Sequence, residues 1–137
     1  MRALIGGCLA CVLVSVTPAS MSAATGATAK SAALFAHGLR LRNGIGVRTD
    51  AQRAFDLIMQ AARDGHPAAM FTLSNMLAHG EGAMQDIGAA QVWLQAAADV
   101  DYPEALQQLA LQEPDPVKSA QLMRSAAHAL RHRAHGH

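Results

Sequence analysis

Histidine side chains near the end of the chain have the spacing of a metal-binding pair. His128 and His132 are four residues apart, so both would lie on one face of a helix, and imidazole nitrogen is a common zinc ligand. His135 and His137 follow in the same basic stretch. A frayed, basic, His-containing tail at residues 129–137 explains these residues without a ligand. The sequence therefore predicts no metal site and no cofactor, and a small metal-binding protein remains as an alternative function.

Two glycine-containing stretches could suggest phosphate binding. Residues 43–50 read NGIGVRTD, and residues 79–86 read HGEGAMQD. Phosphate-binding glycines follow a strand, and in the P-loop they precede a Lys–Ser/Thr pair. Here each stretch follows a predicted helix and no such pair comes after it. The glycines are therefore predicted to form turns.

No residue pattern typical of an enzyme is present in the sequence. There is no HExxH, no Ser/His/Asp set and no recognisable pair of carboxylates. The two cysteines, Cys8 and Cys11, both lie in an N-terminal apolar run. The rest of the chain has no thiol that could act as a nucleophile, form a disulfide or bind a metal. The sequence predicts a non-catalytic protein.

The N-terminal residues have the composition of a secretory signal. An apolar run, ALIGGCLACVLVSV, follows Met1 and Arg2, and a tract of small residues comes next. The run is shorter than the stretch of about 20 residues that spans a membrane. Residues 1–24 are predicted to be a signal peptide that is cut after Ala24, and residues 25–30 a flexible N-terminal segment. The protein would then be exported, to a periplasm or to the medium; an uncleaved anchor is the alternative.

Glycine, aspartate, alanine and proline recur at an offset of 36 residues. The offset pairs Gly44 with Gly80, Gly46 with Gly82, Asp50 with Asp86, Ala61–Ala62 with Ala97–Ala98, and Pro67 with Pro103. A shortened third copy follows at residues 118–128, where Ala120 and Ala126–Ala127 resemble the alanines of the earlier copies. A fixed period of this length indicates a repeat architecture.

Each repeat unit has the signals of two helices. In the second unit, Pro67 stands at a favoured first-turn position, and Met70, Leu73 and Leu77 recur at helical spacing. The glycines of HGEG would end this helix, and Asp86 would cap the next one. The alanine-rich composition suits closely packed helices. The fold is therefore predicted to be all-α, a solenoid of two full helix pairs and a shortened third.

The stretch ALFAHGLRLRNGIGVRTDAQRAFDLIMQAARDGHPAAMFTL resembles the Sel-one-like repeat (SLR) family, a relative of the tetratricopeptide repeats. The resemblance rests on the NGxGV turn, the aspartate before the second helix, the AA pair and the GHPxA junction. It covers residues 31–128, and it implies a tetratricopeptide-like solenoid.

The sequence departs from the family pattern at three places. His37 stands where the family has leucine, Ser74 replaces the usual glycine, and the third unit lacks the Gly-x-Gly turn. His37, Trp93 and Tyr102 are predicted to be packing residues.

In proteins that this chain resembles, the first helices of successive repeats line a groove, and partners would bind there. Beside the predicted core stripe, the candidate partner-binding residues are Phe35, Leu39 and Arg42, then Phe71, Asn75 and Ala78, then Glu104, Gln107 and Leu111. The resemblance implies a monomeric adaptor or scaffold for a protein partner. Some disulfide-bonded relatives have been discussed as β-lactam hydrolases, but this chain lacks their cysteines.

The distribution of charge is uneven along the chain. The net charge is +1, which gives no argument for binding nucleic acid or membranes. Between residues 64 and 117, however, the sequence contains aspartate and glutamate but no lysine or arginine, and both flanks are basic. In a solenoid this order would place an acidic middle between basic ends, which could orient a charged partner or only solvate the surface.

Overall fold

The computed structural model describes residues 19–136, and they form six helices with no strand among them. The helices are α1 (Ala19–Asn43), α2 (Ala51–Arg63), α3 (Pro67–His79), α4 (Ile87–Asp99), α5 (Pro103–Gln112) and α6 (Pro116–His135). None of the described helices combines the length and apolarity needed to cross a bilayer. Residues 1–18 of the predicted signal peptide lie outside the described residues.

The predicted all-α solenoid is confirmed. α1 packs with α2, α3 with α4 and α5 with α6, and the pairs follow one another through contacts of α2 with α3 and of α4 with α5. The third pair is the shortened one. α5 has 10 residues where α3 has 13, and residues 113–115 replace the longer connections at residues 44–50 and 80–86.

Two segments are more helical than the sequence suggested. Residues 25–30, predicted to be a flexible segment, lie inside α1, and the predicted tail at residues 129–137 continues α6 as far as His135. α6 continues through ALRHRAH, in which alanine, leucine and arginine are strong helix formers, and it ends just before Gly136.

The two helices of each pair cross at a position occupied by a small residue. A Cβ atom added to Gly38 of α1 would lie 2.6 Å from Ile58 Cγ1 and 3.3 Å from the Ala54 carbonyl oxygen of α2. At the equivalent position of α3, the Ser74 hydroxyl donates a hydrogen bond of 2.7 Å to the Ala90 carbonyl. The replacement of the family's glycine by Ser74 is therefore accommodated by a hydrogen bond across the helix pair.

The Gly-x-Gly stretches form the turns within the first two pairs. Gly44, Gly46, Gly80 and Gly82 all have positive φ angles. Asp50 and Asp86 end these turns as N-caps, and their Oδ1 atoms accept hydrogen bonds of 3.0 and 2.9 Å from the N–H groups of Arg53 and Ala89. The recurring spacing of glycine and aspartate is thus the spacing of one turn and one helix start.

The two ends of the solenoid are not covered by further repeats in the described part of the chain. His37, predicted to be a packing residue, is exposed, whereas the equivalent Leu73 of α3 is fully buried in the core that includes α2. Among residues 19–136, no other helix pair packs on the side of α1 that carries His37. At the other end, α6 buries only Ala126. Trp93 and Tyr102, also predicted to be packing residues, are half-buried against the core.

Two glycine positions provide a test of the turn geometry. Gly65 and Gly82 both have positive φ, but an added Cβ would meet nothing within 4 Å at Gly65, whereas at Gly82 it would collide with the Ala51 carbonyl of α2. Gly65→Ala should cost about 1–2 kcal/mol of unfolding free energy from backbone strain alone. Gly82→Ala should cost at least about 1 kcal/mol more, because the turn must move off α2. Urea unfolding measures both; equal losses would contradict the contact.

Candidate functional site

The predicted partner-binding residues lie on the first helices of the three pairs, and we call this surface of α1, α3 and α5 the helix-one face. At the offset of 36 residues, Phe35, Phe71 and Gln107 form one row across the three helices. Leu39, Asn75 and Leu111 form a second row. Glu104 is equivalent to Ala68, so it stands one turn before Gln107. Some of these residues contact another side chain within the protein, and others do not.

Phe35 and Phe71 form the junctions between successive repeats. The ring of Phe35 lies 4.8 Å from the ring of His66, the N-cap of α3, and the ring of Phe71 lies 5.6 Å from that of Tyr102, the N-cap of α5. Both phenylalanines are half-buried. Phe35 and Phe71 were predicted either to bind a partner or to pack in part against the core, and the structure shows that both are packed against it. His66 and Tyr102, the residues that contact the two phenylalanines, are themselves 36 residues apart. This spacing was the sequence signal for the two contacts, and the prediction did not use it.

Arg42 and Glu104 already have charged partners within the chain. Arg42 Nε and Nη2 donate hydrogen bonds of 2.7 and 2.8 Å to the two carboxylate oxygens of Glu81. The hydrogen bond from Arg42 keeps the pKa of the Glu81 carboxyl below its ordinary value. Such a bidentate pair fixes both side chains, so the Arg42 guanidinium is not free to bind a partner.

Glu104 lies in a second ion pair at the end of the solenoid. Its Oε1 atom accepts a hydrogen bond of 2.9 Å from Arg133 Nη2 of α6, and the Arg133 guanidinium carbon lies 5.8 Å from the centre of the Tyr102 ring. Burial raises the pKa of the Tyr102 hydroxyl, and the Glu104 carboxylate adds to this effect. Both ion pairs join a basic flank of the chain to its acidic middle. The first connects two successive repeats, and the second connects the two helices of the third pair.

The remaining residues of the helix-one face have no polar partner in the described part of the chain. The side-chain amides of Asn75 and Gln107 make no hydrogen bond there, and Leu39 is half-buried. Leu111 is 79% exposed. The face therefore offers two leucines, Leu39 and Leu111, at the ends of one row. The free amide of Asn75 lies between them, and that of Gln107 lies in the neighbouring row. An amide can both donate to and accept from a peptide backbone.

The histidines at the end of the chain lie on the exposed side of α6. The Nε2 atoms of His128 and His132 are 3.2 Å apart. Among the described residues, no group of three or more histidine, cysteine, aspartate or glutamate side chains is arranged to hold a metal. These two histidines are therefore a pair without a third protein ligand in that part of the chain.

The junction histidine leads to a prediction about pH. His66 Nδ1 accepts a 3.3 Å hydrogen bond from the Ala69 N–H, and burial lowers the pKa of His66 from its ordinary value of 6.5. The unfolded chain therefore takes up the proton first, and stability should fall as the pH drops below about 6.5. His66→Tyr, which copies Tyr102, should lose less stability over this range. Urea unfolding from about pH 7.5 to about pH 5 measures the difference.

His37→Gln serves as the control for this prediction, because His37 is exposed. The control should follow the wild-type pH dependence. If His66→Tyr follows it equally well, protonation of His66 does not weaken the junction.

Comparisons with known proteins agree with the geometry of the repeats. Residues 31–66, 67–102 and 104–129 match the Sel1 repeat. A Sel1 repeat protein from Oxalobacter formigenes superimposes with a TM-score of 0.70 and 25% identity over 83% of this chain and 46% of that one. A protective antigen of uropathogenic Escherichia coli with an SLR fold gives a TM-score of 0.66 and 28% identity over 80% of this chain and 24% of that one. A comparison with curated proteins gives no significant match.

The matched segments follow the helix pairs of the structure. The first ends at His66, the N-cap of α3, the second ends at Tyr102, the N-cap of α5, and the third lies in α5 and α6. The chain spans less than half of the length of either solved structure. Together the three segments account for well over half of the sequence. The chain therefore belongs to the Sel1 repeat (SLR) family.

Proposed function

We propose that the protein is an exported, monomeric and non-catalytic interaction module that binds a protein partner on the helix-one face. Sel1 repeats generally mediate protein–protein interactions, and Sel1-repeat proteins are typically non-catalytic scaffolds. The proposal of export rests on the N-terminal apolar run and the small residues after it. The proposed role is that of an adaptor or scaffold for a partner outside the cytoplasm.

The row of Leu39, Asn75 and Leu111 is the observation on which the proposal depends. A single exposed leucine is ordinary on a protein surface. Leu111, however, lies in register with Leu39, and the amides of Asn75 and Gln107 have no partner in the described residues. This arrangement suits a peptide segment with two apolar side chains, whose backbone could form hydrogen bonds with the amides between them.

The binding set is smaller than the one that the sequence predicted. Arg42 and Glu104 are held in ion pairs, and one side of Phe35 and of Phe71 is packed at a junction. Replacing any of these four residues would disturb packing within the chain as well as any binding. The binding test therefore changes Asn75 and Leu111, which form no ion pair and no ring contact.

The test is an affinity capture from an envelope extract with three immobilised forms of the full chain. These are the wild type, an Asn75→Arg/Leu111→Glu variant, and a matched Gln60→Arg/Val92→Glu control on the exposed sides of α2 and α4. The wild type and the control should retain a partner of the helix-one face. The first variant should retain about tenfold less of it or still less, because charged side chains replace the amide and one leucine of the row.

Direct binding of the captured protein to each purified form must reproduce this order. Equal affinity for all three forms would exclude the helix-one face as the binding surface. Circular dichroism of each form checks that the substitutions leave the helices intact.

Export is tested separately from binding. If residues 1–24 are removed as a signal, the protein recovered from the periplasm or medium of a Gram-negative host should begin at Thr25. N-terminal sequencing and intact mass identify the first residue. Full-length protein that remains in the cytoplasm would contradict export without affecting the test of the helix-one face.

A further inference from the structure

We propose that His128 and His132 form a binding site for a divalent transition-metal ion on the exposed side of α6. The two rings are four residues apart on one helix, their centroids are 4.4 Å apart, and their Nε2 atoms are 3.2 Å apart. The proposal is independent of the helix-one face, because it concerns a different helix and a different kind of ligand.

The separation of the two nitrogen atoms is the distance that a shared metal ion requires. Zinc binds imidazole nitrogen at about 2.0–2.1 Å, so two nitrogens at a tetrahedral angle lie about 3.3–3.4 Å apart. At right angles, as in a square-planar or octahedral site, the separation is about 2.9 Å. The observed 3.2 Å falls between these values. In the metal-free chain the same contact is a hydrogen bond between the two rings. An ion bound by both Nε2 atoms would replace that hydrogen bond and leave each ring protonated on Nδ1.

The end of α6 that carries these histidines is fixed from its other side. Arg133, next to His132, pairs with Glu104 of α5 and lies against Tyr102. These contacts hold one side of α6 against α5, and His128 and His132 lie on the exposed side. Water or a ligand from another molecule would complete the coordination, since the described residues supply no third ligand.

The surroundings of the pair select the kind of ion. α6 contains no aspartate or glutamate, so it lacks the carboxylates that calcium and magnesium require. Arg124 and Arg131 stand one turn from His128 and oppose any cation. The ion must therefore gain enough from imidazole coordination to offset this repulsion, as Zn²⁺, Ni²⁺ and Cu²⁺ do, with Cu²⁺ bound most tightly.

The test is a calorimetric titration of the purified full-length protein with Cu²⁺ and with Zn²⁺. One ion per chain should bind, with a higher affinity for Cu²⁺. His128→Gln and His132→Gln should each weaken binding about tenfold or more, because a single imidazole loses the advantage of two linked ligands. Copper should also raise the melting temperature of the wild type and not that of either variant.

Rescue variants test whether the spacing matters. In the His132→Gln background, Arg124→His places a new histidine four residues before His128 and should restore binding, while Arg124→Gln should not. Gln121→His in the same background keeps the number of histidines but lies too far along the helix, and binding should stay weak.

Three outcomes would overturn the site. The first is the absence of saturable binding of Cu²⁺. The second is wild-type affinity in His128→Gln, which would place the ion on His132 and the histidines that follow it. The third is restored binding with Gln121→His, which would show that the number of histidines matters and their spacing does not.

Discussion

The close crossing of the two helices in each pair is the constraint on which the rest of the structure depends. At the crossing point, the first helix carries Gly38, Ser74 or Ala110 in successive repeats, and at Gly38 even a Cβ atom would lie within 2.6 Å of Ile58 on the second helix. In the third pair, the Ser119 hydroxyl donates a 2.8 Å hydrogen bond to the Ala110 carbonyl, so the polar contact is made from the opposite helix. Ten of the eighteen buried hydrophobic residues in the described part of the chain are alanine, and larger side chains such as Ile58 and Leu94 fill the space between them.

The contacts between repeats determine which surface is left for a partner. Each junction uses one aromatic residue of a first helix and the ring that caps the next first helix. The ion pairs at Arg42 and Glu104 add charged contacts at the two ends of the same face. The helices that stabilise the stack are therefore the same helices that we propose bind a partner, and only the residues between the junctions are free of ring contacts and ion pairs within the described chain. In this protein, part of the surface that the sequence predicted to be a binding groove is an internal interface.

The sequence predicted the features that depend on residues close together in the chain. Proline at the first turn, aspartate at the N-cap and glycine in the turn act within a few residues, and so the turns at residues 44–50 and 80–86 and the helices beside them could be placed. The pairing of Arg42 with Glu81 could not, because it joins residues 39 positions apart and depends on how the repeats stack. The exposure of His37 could not be predicted either, because the periodicity does not show which positions of α1 are covered by another helix in residues 19–136. The candidate partner-binding residues lie on the first helices of the pairs, as the repeat register predicted, but only their packing shows which of them have no contact within the described part of the chain.

The order of the helix contacts has a consequence for how the chain folds. Every extensive contact joins helices that are neighbours in sequence, so no distant segments have to find each other before the core can form. Chains of such low contact order fold quickly, because little loop-closure entropy is lost before contacts are gained. The same topology allows the ends to open while the middle stays folded, since α1 and α6 are each held from one side only. Hydrogen exchange would then be fastest in the terminal helices and slowest around Leu73 and Met76, the buried residues of the central pair.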